Sequence, residues 1–267
     1  RLVVTYISPF GQTGPCADFK AYPLNTFHAG GEGYFLPGGA RWLDRPPVQG
    51  GGFLGEYDSG LAAAVATLAA LYVRPFTGRG QLVDVSRQEA VMALNGLDLT
   101  RWQNLGKVES RADRAPRLGS TLRCKDGYVE VNVNYNHHWE ALVKALGSPA
   151  WATDRRFRRF LDRLENHEEI RVHFEAWAAT RTRREVMELL QAHGCPAGAV
   201  NEPADALACP QRQARGYFVA VGHPDAGTYT YAGAPWKLSA TPARCARPAP
   251  RLGEHNEEVY VRELGLA

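Results

Sequence analysis

Three short segments carry side chains that can do chemistry. Lys20-Ala21-Tyr22 follows the Gly/Pro loop that closes a predicted strand. A cation and a phenol at the carboxyl end of a sheet strand stand where open α/β sheets bind ligands. The same residues would also suit an ordinary surface loop. Leu54 to Gly60, LGEYDSG, puts two carboxylates, Glu56 and Asp58, at a predicted helix start just after a glycine cluster. A helix N-terminus stabilises negative charge, so a carboxylate there is placed to act as a nucleophile. Helix capping is the competing reading, and it fits Asp58 better than Glu56. TGRGQLVDVSRQEA, residues 77–90, turns into a strand and then a helix. It holds neither GxxxxGK nor GxGxxG between strand and helix, so it reads as a tight structural connection.

The elements that must position these residues alternate. Residues 2–7 are apolar and β-branched, a buried strand running straight out of the terminus. Such a start suggests that an N-terminal part precedes this chain. Pro23 to His28 opens a short helix. Residues 30–55 hold nine glycines, among them Gly30, Gly31, Gly39 and Gly55. That density means unusual backbone angles, close approach of backbone to a ligand, or a plain mobile loop. Tyr57 to Val73 is the strongest helix signal, with Asp58 and Ser59 where a cap should be. A strand at 81–86 and one helix from 87 to 105 follow. Strand, helix, strand, helix is the α/β pattern with a mostly parallel sheet.

After Gly106 the texture changes. Residues 107–118 are polar and punctuated by Pro116, a plausible linker. LRC and YVEVNV flank Asp126-Gly127, a strong hairpin signal. Helices are predicted near 137–146, 154–163, 167–180 and 183–193. Short strands GYFVAV and TYTYAG come next, and a last helix spans 254–264. The expected division is 1–110 for part of a large domain, 118–200 for a small α+β domain, and 201–267 for a return to the large one.

Bulk properties narrow the function. The 31 basic and 28 acidic residues leave a net charge of +3, too small and too evenly spread to argue for nucleic acid. Arg155, Arg156, Arg158 and Arg159 interleave with Phe157 and Phe160 and read as the solvated face of an amphipathic helix. The odd count of five cysteines, widely spaced and without CxxC, argues against a disulfide framework and a zinc site and for a reducing cytoplasm. His137 and His138 have no third ligand at a recognisable spacing and read as helix-start residues. The apolar run Leu61 to Val73 is too short to span a bilayer and reads as a buried core helix. The predictions are accordingly no metal, no membrane and no nucleic acid.

Taken in order, SPFGQTGP, Lys20-Ala21-Tyr22, LGEYDSG, TGRGQLVDVS, CKDGYVEV, GCPAGAVN, RGYF and APRLGEHNEEV resemble family III CoA-transferases, the CaiB/BaiF family. The resemblance runs over nearly the whole chain. It implies the C-terminal part of a Rossmann-like large domain plus a smaller α+β domain, with the first half of the sheet and much of the coenzyme A site lying before residue 1. It also implies an interlocked homodimer, acyl-CoA and carboxylic acids as substrates, and weak binding of coenzyme A by this chain alone. Counting back four residues from Gly60 puts Glu56 at the family's catalytic aspartate. A count without that spacing gives Asp58. Lys20 and Tyr22 match residues that line the coenzyme A and acyl pocket, and Gly30 and Gly31 are assigned with them. Pro23 stands where many members carry an acid.

The implied chemistry is transfer of coenzyme A through a mixed anhydride and a glutamyl-CoA thioester on Glu56. The first alternative is an isomerase resembling α-methylacyl-CoA racemase, whose acid would fall at Pro23. The second is a non-catalytic subunit or fragment. Which acids are used is not legible in the sequence.

Overall fold

Strand β1 (Val3–Ser8) pairs in parallel with β2 (Gln81–Ser86), Val3 opposite Gln81 and Ser8 opposite Ser86. Parallel neighbours cannot be joined by a tight turn and need a crossover. Between them in sequence lie α1 (Pro23–Ala29), a 3-10 turn at Glu32–Phe35, and α2 (Leu54–Thr77). A computed structural model describes residues 2–38, 42–112, 121–245 and 247–266; Gly39, and Pro116 in the predicted linker, lie outside them.

Helix α2 packs on the strand pair through small residues. Gly55, Ser59, Ala63 and Ala70 are its buried positions. Thr67 Oγ1 donates to the Ala63 carbonyl at 2.7 Å, so in its 2.6 Å contact with Thr5 Oγ1 the Thr5 hydroxyl is the donor. The helix ends at Gly78, left-handed at φ +67, whose N–H returns to the Arg74 carbonyl. Two sequence expectations change here. Leu61, Val65, Leu68 and Tyr72 are 65–73% exposed, so α2 is a largely exposed helix and not a buried one. At 24 residues it is also long and apolar enough, by length and composition alone, to cross a membrane. Tyr6, Ile7 and Leu82 are exposed as well, so β1 is not fully buried. The physical reason is that, among the described residues, β1 and β2 have no further strand beside them.

The long helix expected over 87–105 is two, α3 (Arg87–Leu94) and α4 (Gly96–Leu105). Asn95 breaks it. Its buried side chain donates Nδ2–H to the Gly30 carbonyl at 3.2 Å, and its own carbonyl accepts from Asp98 and Leu99. An asparagine that bonds elsewhere competes with the helix ladder. Gln88 Nε2 likewise reaches the Ala29 carbonyl, so two side chains satisfy the end of α1.

Contacts divide the chain into two units, 1–120 with 151–171 and 121–150 with 172–267. In the second, β3 (Leu122–Cys124) and β4 (Gly127–Val131) form the expected Asp126-Gly127 hairpin, and β5 (Ala197–Ala199) adds an antiparallel third strand. Helix α5 (Asn136–Ala145) begins just before His137 and His138. In the first unit, the predicted 154–163 helix is instead a 3-10 turn, Arg155–Phe157, followed by α6 (Phe160–Glu165). The arginine run is therefore not one helix face. Arg156 pairs with Asp154 and Glu169, and the nearby Arg163, fully buried, donates to the carbonyls of Phe157 and Arg158.

Helices α7 (His167–Ala178) and α8 (Arg183–Ala192) follow. Thr182 and Glu185 close a capping box on α8. Arg183 ties the second unit together: its backbone N–H meets Asp126, and its guanidinium meets the Val200 carbonyl and Asp205. Short helices α9 (Pro203–Ala208) and α10 (Pro210–Ala214) lead to the hairpin β6 (Phe218–His223) and β7 (Gly227–Ala232). The last helix is a π-type turn, Glu257–Glu263, shorter than expected.

Two outcomes follow from this packing. A Cβ added at Gly30 would sit 2.8 Å from Val91 Cβ and Cγ1, and Val91 is 1% exposed. Gly30→Ala should therefore cost about 1–3 kcal/mol by overpacking, read as a lower urea midpoint; an unchanged midpoint contradicts the packing. All five cysteines are free. Burial pushes the Cys195 thiol up to about 11, while the Arg212 backbone N–H, helped by the Gln211 N–H and the Arg212 charge, draws Cys209 below the usual thiol range despite some desolvation. At about pH 8, iodoacetamide should label Cys209 well before Cys195. Mass spectrometry of the labelled peptides reads the order, and Cys195 reacting first would refute it.

Candidate active site

Helix α2 starts three residues before the sequence suggested, with Phe53 at its N-cap and no side-chain cap bond. That corrects the capping reading of Asp58, which lies in the second turn. Glu56 lies in the first turn, where the unpaired N–H groups favour a negative charge. Residues two apart on a helix do not share a face. Glu56 accordingly opens on a groove of about 290 Å³ lined by Phe53, Tyr57, Gly60 and Leu61, and Asp58 does not line it.

Gly60 is one turn beyond Glu56, and nothing lies within 4 Å of where its Cβ would be. The groove is thus unobstructed at Gly60. Glu56 Oε2 is buried and accepts no hydrogen bond from the described residues, and the same is true of Asp58 Oδ2. A buried carboxylate oxygen without a donor is costly unless a ligand or reaction partner uses it.

The other predicted site residues lie apart from this groove. The loop before Lys20 is pinned to both strands: the Gln12 N–H donates to Asp84 Oδ2 of β2 at 2.8 Å, and the Gly11 N–H to Ser8 Oγ of β1 at 3.0 Å. Lys20 is exposed, and Tyr22 is 80% exposed at the N-cap of α1. Gly30 and Gly31 line a second cavity of about 240 Å³ with Tyr34, Phe35, Asn95 and Trp102, and no residue lines both spaces. Gly31 needs its glycine identity, at φ +93. Val91 is the side chain that a Cβ at Gly30 or at Gly55 would touch. His28 is packed edge-on to Phe27 and leaves no room for a side chain at Gly33.

Sequence reasoning missed Phe53, Tyr57, Gly60 and Leu61 as groove residues. The signal was present as spacing: Phe53, Tyr57 and Leu61 recur every fourth residue, as do Glu56 and Gly60. Asn95 was also missed, because a single asparagine inside a helical pattern has no spacing to flag it. Among the described residues no group of three His, Cys, Asp or Glu side chains is arranged to hold a metal ion.

Comparison with known proteins identifies the family. The model of CoA-transferase family III matches residues 1–256. A formyl-CoA:oxalate CoA-transferase of Streptomyces coelicolor is 34% identical over the whole of this chain and 68% of its own length. A succinyl-CoA–D-citramalate CoA-transferase of Chloroflexus aurantiacus is 31% identical over 99% of this chain and 66% of its own. The crystal structure of a CaiB/BaiF family protein from Brucella suis superposes with a TM-score of 0.79 at 26% identity, covering 98% of this chain and 68% of that one. The chain therefore belongs to CoA-transferase family III, a family of enzymes that transfer coenzyme A between acids.

Proposed function

We propose that Glu56 is the nucleophile of this transferase. The observation that carries the reading is its buried, donorless Oε2 in the first turn of α2, beside an open groove. A Glu56 oxygen attacks the thioester carbonyl of the donor acyl-CoA. The C–S bond breaks, leaving a mixed anhydride and coenzyme A thiolate. The thiolate attacks the glutamyl carbonyl, the anhydride C–O bond breaks, and the donor acid departs as carboxylate. The acceptor carboxylate then attacks the glutamyl thioester and expels the thiolate, which takes the acyl group from the new anhydride and frees Glu56. A carboxylate suits this task because an anhydride keeps the acyl group activated.

Lys20, Tyr22, Gly30 and Gly31 are proposed to hold the coenzyme A arm. Their support is the family's pattern together with the cavity at Gly30 and Gly31. Asp58 stays in the proposal as the alternative nucleophile, since its Oδ2 is equally without a donor. The printed substrates of the relatives differ from one another, formyl and oxalate in one, succinyl and citramalate in the other. We extend to this chain only acyl-CoA donors and carboxylic acid acceptors. A homodimer fits the apolar stripe Leu61, Val65, Leu68, Tyr72 on α2. Assignment of residues 201–267 to the large domain belongs to the same proposal, although within this chain they group with 121–150 and 172–200.

Incubation with acyl-CoA followed by hydroxylamine or borohydride trapping should modify the peptide carrying Glu56, and Glu56→Gln should abolish the adduct and lower transfer by at least about a thousandfold. Modification at Asp58 moves the nucleophile; modification at neither removes the covalent mechanism. The racemase reading is weaker because Pro23 sits in the first turn of α1 with no group to move a proton, and His28 is packed. The protein should accordingly leave the α-proton of a 2-methylacyl-CoA unexchanged in deuterated water. Exchange seen by NMR on the timescale of transfer would reverse that ranking.

A further inference from the structure

We propose that the cavity between α10 and the segment after β7 is a binding site for a phosphate-class anion. It has a volume of about 210 Å³ and is lined by Arg212, Arg215, Tyr217, Ala234, Pro235 and Lys237. Its lining holds three cationic residues and a tyrosine, and no carboxylate residue among the described residues. They come from two separate stretches of chain that backbone bonds hold together: Tyr217 N–H to the Arg212 carbonyl at 3.0 Å, and Gly233 N–H to the Tyr217 carbonyl at 2.8 Å.

The cations are partly anchored. Arg212 Nη1 donates to the Ala206 carbonyl at 3.1 Å, and Lys237 Nζ donates to the Gly216 carbonyl at 3.3 Å. A guanidinium carries five N–H donors and an ammonium three, so each keeps donors for a ligand. The Arg215 backbone N–H donates to the Gln211 carbonyl at 3.1 Å, but its side chain makes no ion pair or hydrogen bond among the described residues. Elsewhere in that unit Arg183 pairs with Asp205, Arg184 with Glu188 and Arg251 with Asp225. What sets Arg212, Arg215 and Lys237 apart is that they converge on one space with no ion pair among the described residues.

Like charges held together repel, and an anion placed among them turns that repulsion into attraction. A phosphate suits the arrangement better than a single carboxylate, because its oxygens can accept from two guanidinium forks, an ammonium and a hydroxyl at once. The site is on the second unit, and it does not depend on the role proposed for Glu56. Its natural ligand is either a phosphate group of coenzyme A or an independent phosphorylated molecule. The shared chemistry is the phosphate.

The test is calorimetric titration of the 267-residue protein with inorganic phosphate and with diphosphate at fixed chloride. Saturable binding is expected, tighter for diphosphate and weakening with added salt. Arg215→Gln leaves every described structural bond intact and should weaken binding about tenfold, the loss of one charge-assisted hydrogen bond. Lys237→Gln should weaken it similarly, with thermal melts confirming that both variants are folded. A competition arm then assigns the source: displacement of phosphate by coenzyme A identifies the coenzyme's own phosphates, and independent binding identifies a separate phosphorylated ligand. No saturable binding below about 10 mM, or binding that both folded variants retain unchanged, overturns the proposal.

Discussion

Parallel pairing of β1 with β2 is the constraint on which the first unit depends. Two parallel strands need a crossover, and a helix packed on the strands in that crossover runs back against them. Its N-terminus then lies toward their carboxyl ends, the side on which open α/β sheets bind ligands. The first turn of α2, with Glu56 in it, is put there by topology. The small residues Gly55, Ser59, Ala63 and Ala70 let the helix approach closely, and the Thr5–Thr67 hydrogen bond ties helix to strand.

The glycines around that turn serve packing as much as ligand approach. Gly55 and Gly30 both press on Val91, so the residue preceding Glu56 and the end of α1 meet on one buried side chain. Asn95 then ties α3 and α4 to the same point through the Gly30 carbonyl. A change at any one of these positions should be felt at the others, because residues in contact do not contribute independently.

The second unit is held by a different logic. Its hairpin core is apolar and alternating, with Leu122, Cys124, Val129 and Val131 buried. Its outer connections are ionic, gathered on Arg183. Arg212, Arg215 and Lys237 converge on one space without an acidic partner among the described residues.

Much of the fold was legible in the sequence because it rests on local rules. Alternation of strand and helix, the Asp126-Gly127 turn, and helices following Pro23 and Ser86 are set by backbone preferences that neighbouring residues carry themselves. The family was legible for the same reason, since its motifs are short and ordered. Burial was not legible. Residues 61–73 have the composition of a core helix, but whether a leucine is covered depends on what lies across from it, and Leu61, Val65 and Leu68 have nothing there among the described residues. The start of α2 was placed late because Phe53 is not a capping residue, so the helix begins through packing and not through a cap. Sequence spacing named both Glu56 and Asp58. Only the helix, by turning the two onto different faces, opened one of them to the groove.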